Sequence, residues 1–307
     1  MKKLLMIINP KAGTKQATKY LADIIDVFCR GGYETVVATT AGRGHGTQIA
    51  RERAGDADVV VAVGGDGTFN EVVAGVMESG ADVPIGYLPA GTTNDFAASL
   101  GIPKNLVEAA RAVVTGTPRT VDIGSFNGRY FSYVASFGAF TGTSYGASQS
   151  LKNLLGHMAY ILEGVRDVLS IKPLYVELKN EVGVYGNKYL FGAVCNSTSM
   201  GGIVKLDADV VDMNDGLFEV LLVRAPSNIL ELNQEILALT SQNYENCPLI
   251  SFFTASELTV KANPEMNWTL DGEYQEGTEN IVIKNLKSAV RIILNDEREN
   301  NKMLKEV

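Results

Sequence analysis

Histidine is almost missing from this chain: 307 residues include only His45 and His157. A histidine-rich metal centre is therefore excluded, and a Ser-His-Asp hydrolase is not expected. Cysteine is nearly as scarce. Cys29, Cys195 and Cys247 lie far apart, are odd in number and form no metal-type spacing, which fits free buried thiols in a reducing compartment. Positive charge is in deficit. The 27 Lys and Arg against 35 Asp and Glu give a formal net charge of −8, which argues against a general nucleic-acid binder and leaves only local basic patches open. No apolar run approaches the ~18–20 residues of a membrane-spanning helix. Met1–Ile8 begins like a signal peptide, but Asn9-Pro10-Lys11-Ala12-Gly13 stops the run well short of an h-region and cleavage site. A first strand, a cytoplasmic location and, at most, peripheral membrane contact are expected. No internal repeat or low-complexity tract is visible.

What is present is a large apolar fraction, 46%, enough for a full core. Up to about residue 125 the pattern alternates strand and helix: strands at 4–8, 34–38, 59–63, 85–88 and 120–123, helices at 16–29, 46–54, 69–77, 94–100 and 106–115. Continuous apolar strands alternating with helices predict a Rossmann-like parallel sheet covered on both faces. The pattern then changes. Asn127-Gly128 between Phe126 and Arg129 is a strong hairpin signal. Beyond it, a helix is expected over 156–169 and another over 228–242. The runs 174–178, 188–195, 217–223, 258–261 and 281–283 read as antiparallel strands. The chain thus reads as an α/β domain over 1–125, a β-rich domain over 126–289 and a tail over 290–307 that opens with a further apolar strand at 290–294.

Two stretches carry chemistry: Val63-Gly64-Gly65-Asp66-Gly67-Thr68-Phe69-Asn70-Glu71 and Leu88-Pro89-Ala90-Gly91-Thr92-Thr93-Asn94-Asp95-Phe96. Each follows a buried-strand pattern and leads into a helical one. Glycines at such junctions let backbone N–H groups approach an anion closely. Each loop also holds an acidic residue, Asp66 or Asp95, which would repel a bare phosphate but not a phosphate with a metal, or one meeting a hydroxyl that loses its proton. The pair points to a nucleotide site that does chemistry on phosphate. Asn9–Thr14 after the first strand reads either as a further nucleotide loop or as an ordinary turn. Asp66 reads as a residue facing Mg²⁺ or its water, against a plain helix cap.

These loops, with Asn9-Pro10-Lys11-Ala12-Gly13, Asp271-Gly272-Glu273, Val121-Asp122-Ile123-Gly124 and Asn214-Asp215-Gly216, occur in an order that resembles the diacylglycerol kinase catalytic family in its bacterial soluble form. Gly-Gly-Asp-Gly-Thr alone is weak, because NAD kinases and phosphofructokinases carry it. Leu-Pro-x-Gly-Thr-x-Asn-Asp-Phe beside it is much more specific. The resemblance implies an ATP-binding α/β domain over 1–125, on which the tail 290–307 returns to pack, and a lipid-substrate C-terminal β-sandwich domain over 126–289, with a site in the cleft between them. It also implies ATP contacts from Asn9, Pro10, Lys11, Ala12, Gly13, Thr40, Gly64, Gly65, Asp66, Gly67, Thr68, Asn70, Glu71, Gly91 and Thr92. One Mg²⁺ would be held by the Asp215 carboxylate and main-chain carbonyls at Asp212 and Leu217, although Asn214 stands where the family commonly has Asp. Glu273 is the candidate general base, with Asp271 as competitor, and Asp122 and Asp95 support the catalytic network. Lys11, Lys15, Lys19, Lys152 and Arg166 read first as a solvated face and second as contacts for phosphate or anionic headgroups. Residues 148–155 with Met158, Ile161 and Leu162 line either an acyl path or a core.

The expected activity is ATP-dependent phosphorylation of diacylglycerol or a related lipid alcohol, by transient contact with a membrane surface and without a nucleic-acid partner. A homodimer is expected from the family alone. The alternatives are a kinase for a soluble acceptor such as NAD, or a nucleotide- or lipid-binding regulator without catalysis.

Overall fold

The computed structural model describes residues 1–13, 16–138, 171–197, 199–200, 204–205 and 211–295. The helix expected over 156–169, the basic residues Lys15, Lys152 and Arg166, the apolar set within 148–162 and the charged tail after Asn295 lie outside these residues. The chain divides into two compact units, Met1–Val121 with Ser288–Val307, and Asp122–Lys287.

The first unit is built on β1 (Lys2–Ile8), β2 (Tyr33–Thr39), β3 (Val59–Gly64) and β4 (Ile85–Pro89), all parallel in the order β2-β1-β3-β4. Alternate side chains of a strand point to opposite faces. Leu4, Met6, Ile8, Val59, Val61 and Val63 therefore face one way, where they pack with Ile24 and Phe28 of one helix and Ala109 and Val113 of another. Leu5, Ile7, Val60 and Ala62 face the other way and are equally buried. A sheet covered on both sides needs apolar residues at every position, which is why these strands read as unbroken apolar runs. The helices are α1 (Gln16–Lys19), α2 (Leu21–Arg30), α3 (His45–Arg53), α4 (Asp66–Ser79), α5 (Asp95–Ser99) and α6 (Leu106–Thr115). The single helix expected over 16–29 is two, because the Tyr20 backbone (φ −99°, ψ 10°) leaves the helical path between them. Asn105 caps α6, its side-chain oxygen accepting the N–H groups of Val107 and Glu108.

The second unit is antiparallel. β5 (Thr117–Phe126) turns through Asn127-Gly128, both at positive φ (48° and 87°), into β6 (Arg129–Phe131). Two successive left-handed residues make the type I′ turn that the Asn-Gly pair favours. Then follow β7 (Val134–Gly138), β8 (Leu174–Lys179), β9 (Val184–Cys195), β10 (Ser199–Met200), β11 (Val204–Lys205), β12 (Phe218–Arg224), α7 (Ile229–Ser241), β13 (Ile250–Ala255), β14 (Glu257–Ala262), β15 (Trp268–Leu270), β16 (Glu273–Gln275) and β17 (Asn280–Leu294). β7, β8 and β12 all pair with β9, and β15 pairs with β7. The sandwich core centres on Trp268, whose ring lies 5.1 Å from that of Phe126 and 4.8 Å from that of Phe137. The strands expected separately at 281–283 and 290–294 are one strand, β17. Its first half pairs with β14 in the second unit, and Ile292 pairs with Ile85 in the first.

α7 buries Leu232, Glu235 and Ala238, three residues apart and so on one face. Glu235 is 2% exposed, and its Oε1 has no hydrogen-bond partner. Burial, and then the charge of Glu231, push its carboxyl from 4.5 up to about 8. The folded chain therefore keeps a proton between about pH 4.5 and 8 that the unfolded chain releases. The associated stability is complete below the unfolded value and is lost as pH rises through the folded one. Glu235→Gln, neutral at every pH, should raise Tm at pH 8, leave it nearly unchanged at pH 5 and flatten the slope between. Thermal melts across that range check this, and an unaltered Tm at pH 8 contradicts it.

Candidate active site

Three loops at the C-terminal ends of β1, β3 and β4 meet in the first unit. Asn9 Nδ2 donates to Thr68 Oγ1 at 3.2 Å, and Asn9 Oδ1 accepts the Lys11 N–H at 3.0 Å. Gly13 has φ +51° and sits so near β4 that a Cβ there would lie 2.4 Å from the Ala90 carbonyl oxygen. A Cβ on Gly91 would lie 2.5 Å from the Gly65 Cα. Glycine is required at both places because backbone meets backbone. Asn94, itself at φ +53°, braces the third loop: its Oδ1 accepts the Gly91 N–H and its Nδ2 donates to the Gly91 carbonyl, both at 2.9 Å.

Asp66 ties these loops together. Its carboxylate accepts from the Asp95 N–H at 2.9 Å, the Phe96 N–H at 3.3 Å and the Tyr87 hydroxyl at 3.2 Å. Burial raises its pKa, and these donors pull the other way. Where the sequence suggests a carboxylate facing a cation, the structure has one engaged by three protein donors. It caps α5 from 29 positions upstream. Asp95 joins the cluster through its N–H. Gly64, Gly65, Gly67 and Thr68 surround this clamp, with Thr68 buried. Pro10 and Ala12 complete the first turn, and Lys11 is exposed.

Thr40 closes β2, its N–H donating to the Ile8 carbonyl at 2.8 Å. Glu71, one turn into α4 beside Asn70, accepts the N–H groups of Gly44 at 2.6 Å and Gly46 at 2.9 Å. It thereby anchors the loop that follows Thr40, a role not visible in the motif.

The second unit gathers the other named acids. Asp122, fully buried on β5, accepts the Gly216 N–H at 2.7 Å, and its own N–H donates to Met213. It is thus joined to the turn at 212–217. In that turn Asp212 Oδ1 accepts the Asn214 N–H at 3.0 Å and Asp215 Oδ1 accepts the Leu217 N–H at 2.8 Å. The Leu217 carbonyl accepts from Asn285 Nδ2 at 3.0 Å. Among the described residues no group of three or more His, Cys, Asp or Glu side chains is placed to hold a metal. What the turn offers is a mixed set of carboxylate and carbonyl oxygens.

Asp271-Gly272 is a second type I′ turn (φ 51° and 79°) joining β15 to β16. The Asp271 carboxylate is buried and accepts the N–H groups of Ser132, Tyr133 and Val134 at 2.6, 2.9 and 3.0 Å. It is a clamp on β6 and β7, which removes the case for it as the competing base. Glu273 is half-buried, and its Oε2 lies 3.0 Å from Arg129 Nη2. Arg129 also donates to the Tyr274 carbonyl and to Gln275.

Sequence reasoning overlooked Arg129, Asn196 and Glu219. Asn196 is buried at the end of β9 and donates to the carbonyls of Asp122 and Ser132. Glu219 is 1% exposed with Oε2 unpartnered, and burial, then the nearby Asp215 and Asp212 charges, push it up to about 8. The available signal was a lone acid in the apolar run Phe218–Arg224.

Comparison with known proteins agrees with this architecture. A family model described as the diacylglycerol kinase catalytic domain matches residues 3–126. A protein named diacylglycerol kinase from Bacillus subtilis (strain 168) is 34% identical over 276 residues, covering 89% of this chain and 90% of that protein. One of the same name from Staphylococcus aureus (strain MRSA252) is 31% identical over 275 residues, covering 89% and 86%. A crystal structure of a diacylglycerol kinase from Bacillus anthracis str. Sterne superposes with a TM-score of 0.73 at 21% identity, covering 96% of this chain and 97% of that one, and speaks for the fold. The chain belongs to the diacylglycerol kinase family. It is a lipid kinase, and a kinase catalytic domain implies the use of ATP.

Proposed function

We propose that this enzyme transfers the γ-phosphate of ATP to the hydroxyl of diacylglycerol or a closely related lipid alcohol. The observation that carries this reading is the three-loop cluster, in which Asn9, Gly13, Gly65, Asp66 and Gly91 hold glycine-rich backbone at the ends of three neighbouring strands. Such loops suit the phosphates of a nucleotide.

Phosphoryl transfer asks the protein mainly for positioning and charge stabilisation, plus one group to accept the acceptor's proton. Glu273 is assigned that proton, with Arg129 orienting its carboxylate. Asp215, with the carbonyls of Asp212 and Leu217, would hold Mg²⁺. An all-oxygen set with one or two carboxylates suits a hard cation that keeps several waters. Bound there, the cation would supply charge neutralisation. Asp122 holds that turn through Gly216. Among the described residues no helix is long and apolar enough to cross a membrane. In this reading the insoluble acceptor is met by transient contact with a lipid surface.

The test is transfer of label from γ-labelled ATP into mixed micelles carrying diacylglycerol, monoacylglycerol or ceramide, with NAD as the soluble alternative. Label in diacylglycerol is expected. Label in NAD alone, or ATP binding without transfer to any acceptor, overturns the reading.

A further inference from the structure

A cavity of about 600 Å³ opens in the second unit along β13. Two pairs of rings line it. Tyr185 and Phe253 stack at 4.1 Å and 7°, and Tyr244 and Phe252 meet at 4.9 Å and 39°. Tyr185, Phe252 and Phe253 are half-buried, so the fold leaves part of their apolar surface uncovered. The polar lining is neutral apart from Glu245, the only charged lining residue among those described. A cavity of this size, mostly apolar with a few polar groups, is the form small-molecule sites take. It also borders a sheet edge. Adjacent residues of a strand point to opposite faces, so a cavity touching both Phe252 and Phe253 wraps around β13. Among the described residues β13 pairs with β12 alone. A strand paired on one side offers a row of N–H and C=O groups on the other, and such edges are commonly guarded by charge or proline. The segment Ile250–Ala255 carries neither.

Uncovered ring faces beside backbone donors and acceptors suit a ligand with a hydrocarbon part and adjoining carbonyl or hydroxyl groups. With a carboxylate in the lining and no cation among its described residues, the cavity opposes an anionic headgroup. It is also remote from the turn at 212–217. Ile250 pairs with Val223, the sixth residue after Leu217, which is about 20 Å of strand. Taking the lipid-kinase reading as given, we propose that this cavity is a non-catalytic lipid site that takes one acyl chain of an uncharged glycerolipid, with the β13 edge and Ser251 bonding its ester and hydroxyl groups. A lipid held there tethers the enzyme to the surface that supplies its acceptor.

Ser251 is suited to a test because it lines the cavity, is partly exposed and belongs to none of the loops or turns assigned to the chemistry. Full-length wild type is compared with Ser251→Trp, which fills the cavity, and Ser251→Asp, which charges it. Melting curves confirm that the variants remain folded. Equilibrium dialysis measures binding of monooleoylglycerol below its aggregation threshold, and turnover is measured on a short-chain, water-soluble diacylglycerol and on vesicle-borne diacylglycerol. Wild type should hold two equivalents of monooleoylglycerol and each variant one. In the variants, turnover on the soluble acceptor should stay within twofold of wild type and turnover on vesicles should fall about tenfold. The phosphate ester of monooleoylglycerol should bind the Ser251-sensitive site at least tenfold more weakly, and equal binding overturns the choice of an uncharged lipid. Equal stoichiometry in wild type and both variants refutes the site, while the kinase reading stands if the soluble acceptor is still phosphorylated. A wild-type dimer that Ser251→Asp dissociates in sedimentation velocity, with lipid binding unchanged, assigns the edge to a second copy of the chain and overturns the proposal. If wild type phosphorylates no acceptor, the kinase reading falls, and the stoichiometry alone decides this site.

Discussion

Replacing Glu273 by Gln should reduce turnover by about 10²–10⁴-fold, the range expected when a positioned general base is removed. This corresponds to roughly 3–5 kcal/mol of lost transition-state stabilisation. Glutamine keeps an oxygen that can accept from Arg129, so β16 should remain in register and Tm should move little. The Arg129–Glu273 pair is about one-third exposed on both sides, and such pairs contribute at most about 1 kcal/mol. Nucleotide affinity should stay within twofold, because Glu273 belongs to the second unit and supplies no residue of the three loops. Single-turnover kinetics and ADP calorimetry separate the two quantities. Turnover within tenfold of wild type removes Glu273 from the role of base. Arg129→Ala supplies a useful companion: if the guanidinium only orients the carboxylate, kcat falls less than in Glu273→Gln, and Arg129→Lys recovers part of it.

The largest effect on stability is expected at Asp271. Its carboxylate satisfies three buried N–H groups, and Asp271→Ala leaves all three without their acceptor. Each such orphan costs about 1–3 kcal/mol, so several kcal/mol are at stake in a protein whose total stability is on the order of 5–15 kcal/mol. At ~2–4 °C per kcal/mol for a unit of this size, Tm should fall by on the order of 10 °C or more. Asp271→Asn keeps one oxygen but turns an NH₂ group towards the strand amides, and should fall in between. Calorimetric melts check the ranking. A variant that melts like wild type yet loses turnover would restore Asp271 as the chemical base and displace Glu273.

Much of the first unit was legible because its sheet is buried on both faces. Strands with apolar residues at every position, ended by Gly- or Asn-bearing turns, leave little alternative to a parallel sheet. The Asn-Gly turn after Phe126 was legible for a stereochemical reason, since Asn tolerates the left-handed conformation that the following glycine also adopts. Long-range partnerships were hidden. The motif Gly-Gly-Asp-Gly-Thr does not disclose that Asp66 caps a helix belonging to the other loop. Asp-Gly-Glu does not disclose that its first carboxylate anchors amides 137 to 139 positions earlier. The short strands β7, β13, β15 and β16 were missed. Three to six residues carry too little periodicity to identify, and each is fixed by its neighbours in the sheet.

The last strand has a consequence for biogenesis. β17 supplies Ile292 beside Ile85, so the sheet of β1 to β4 gains that edge only once the chain of the whole second unit has been made. The N-terminal half, translated first, should therefore consolidate last. Synthesis of the strand around Ile292, and not completion of residue 121, is the event that should make its nucleotide loops resistant to proteolysis.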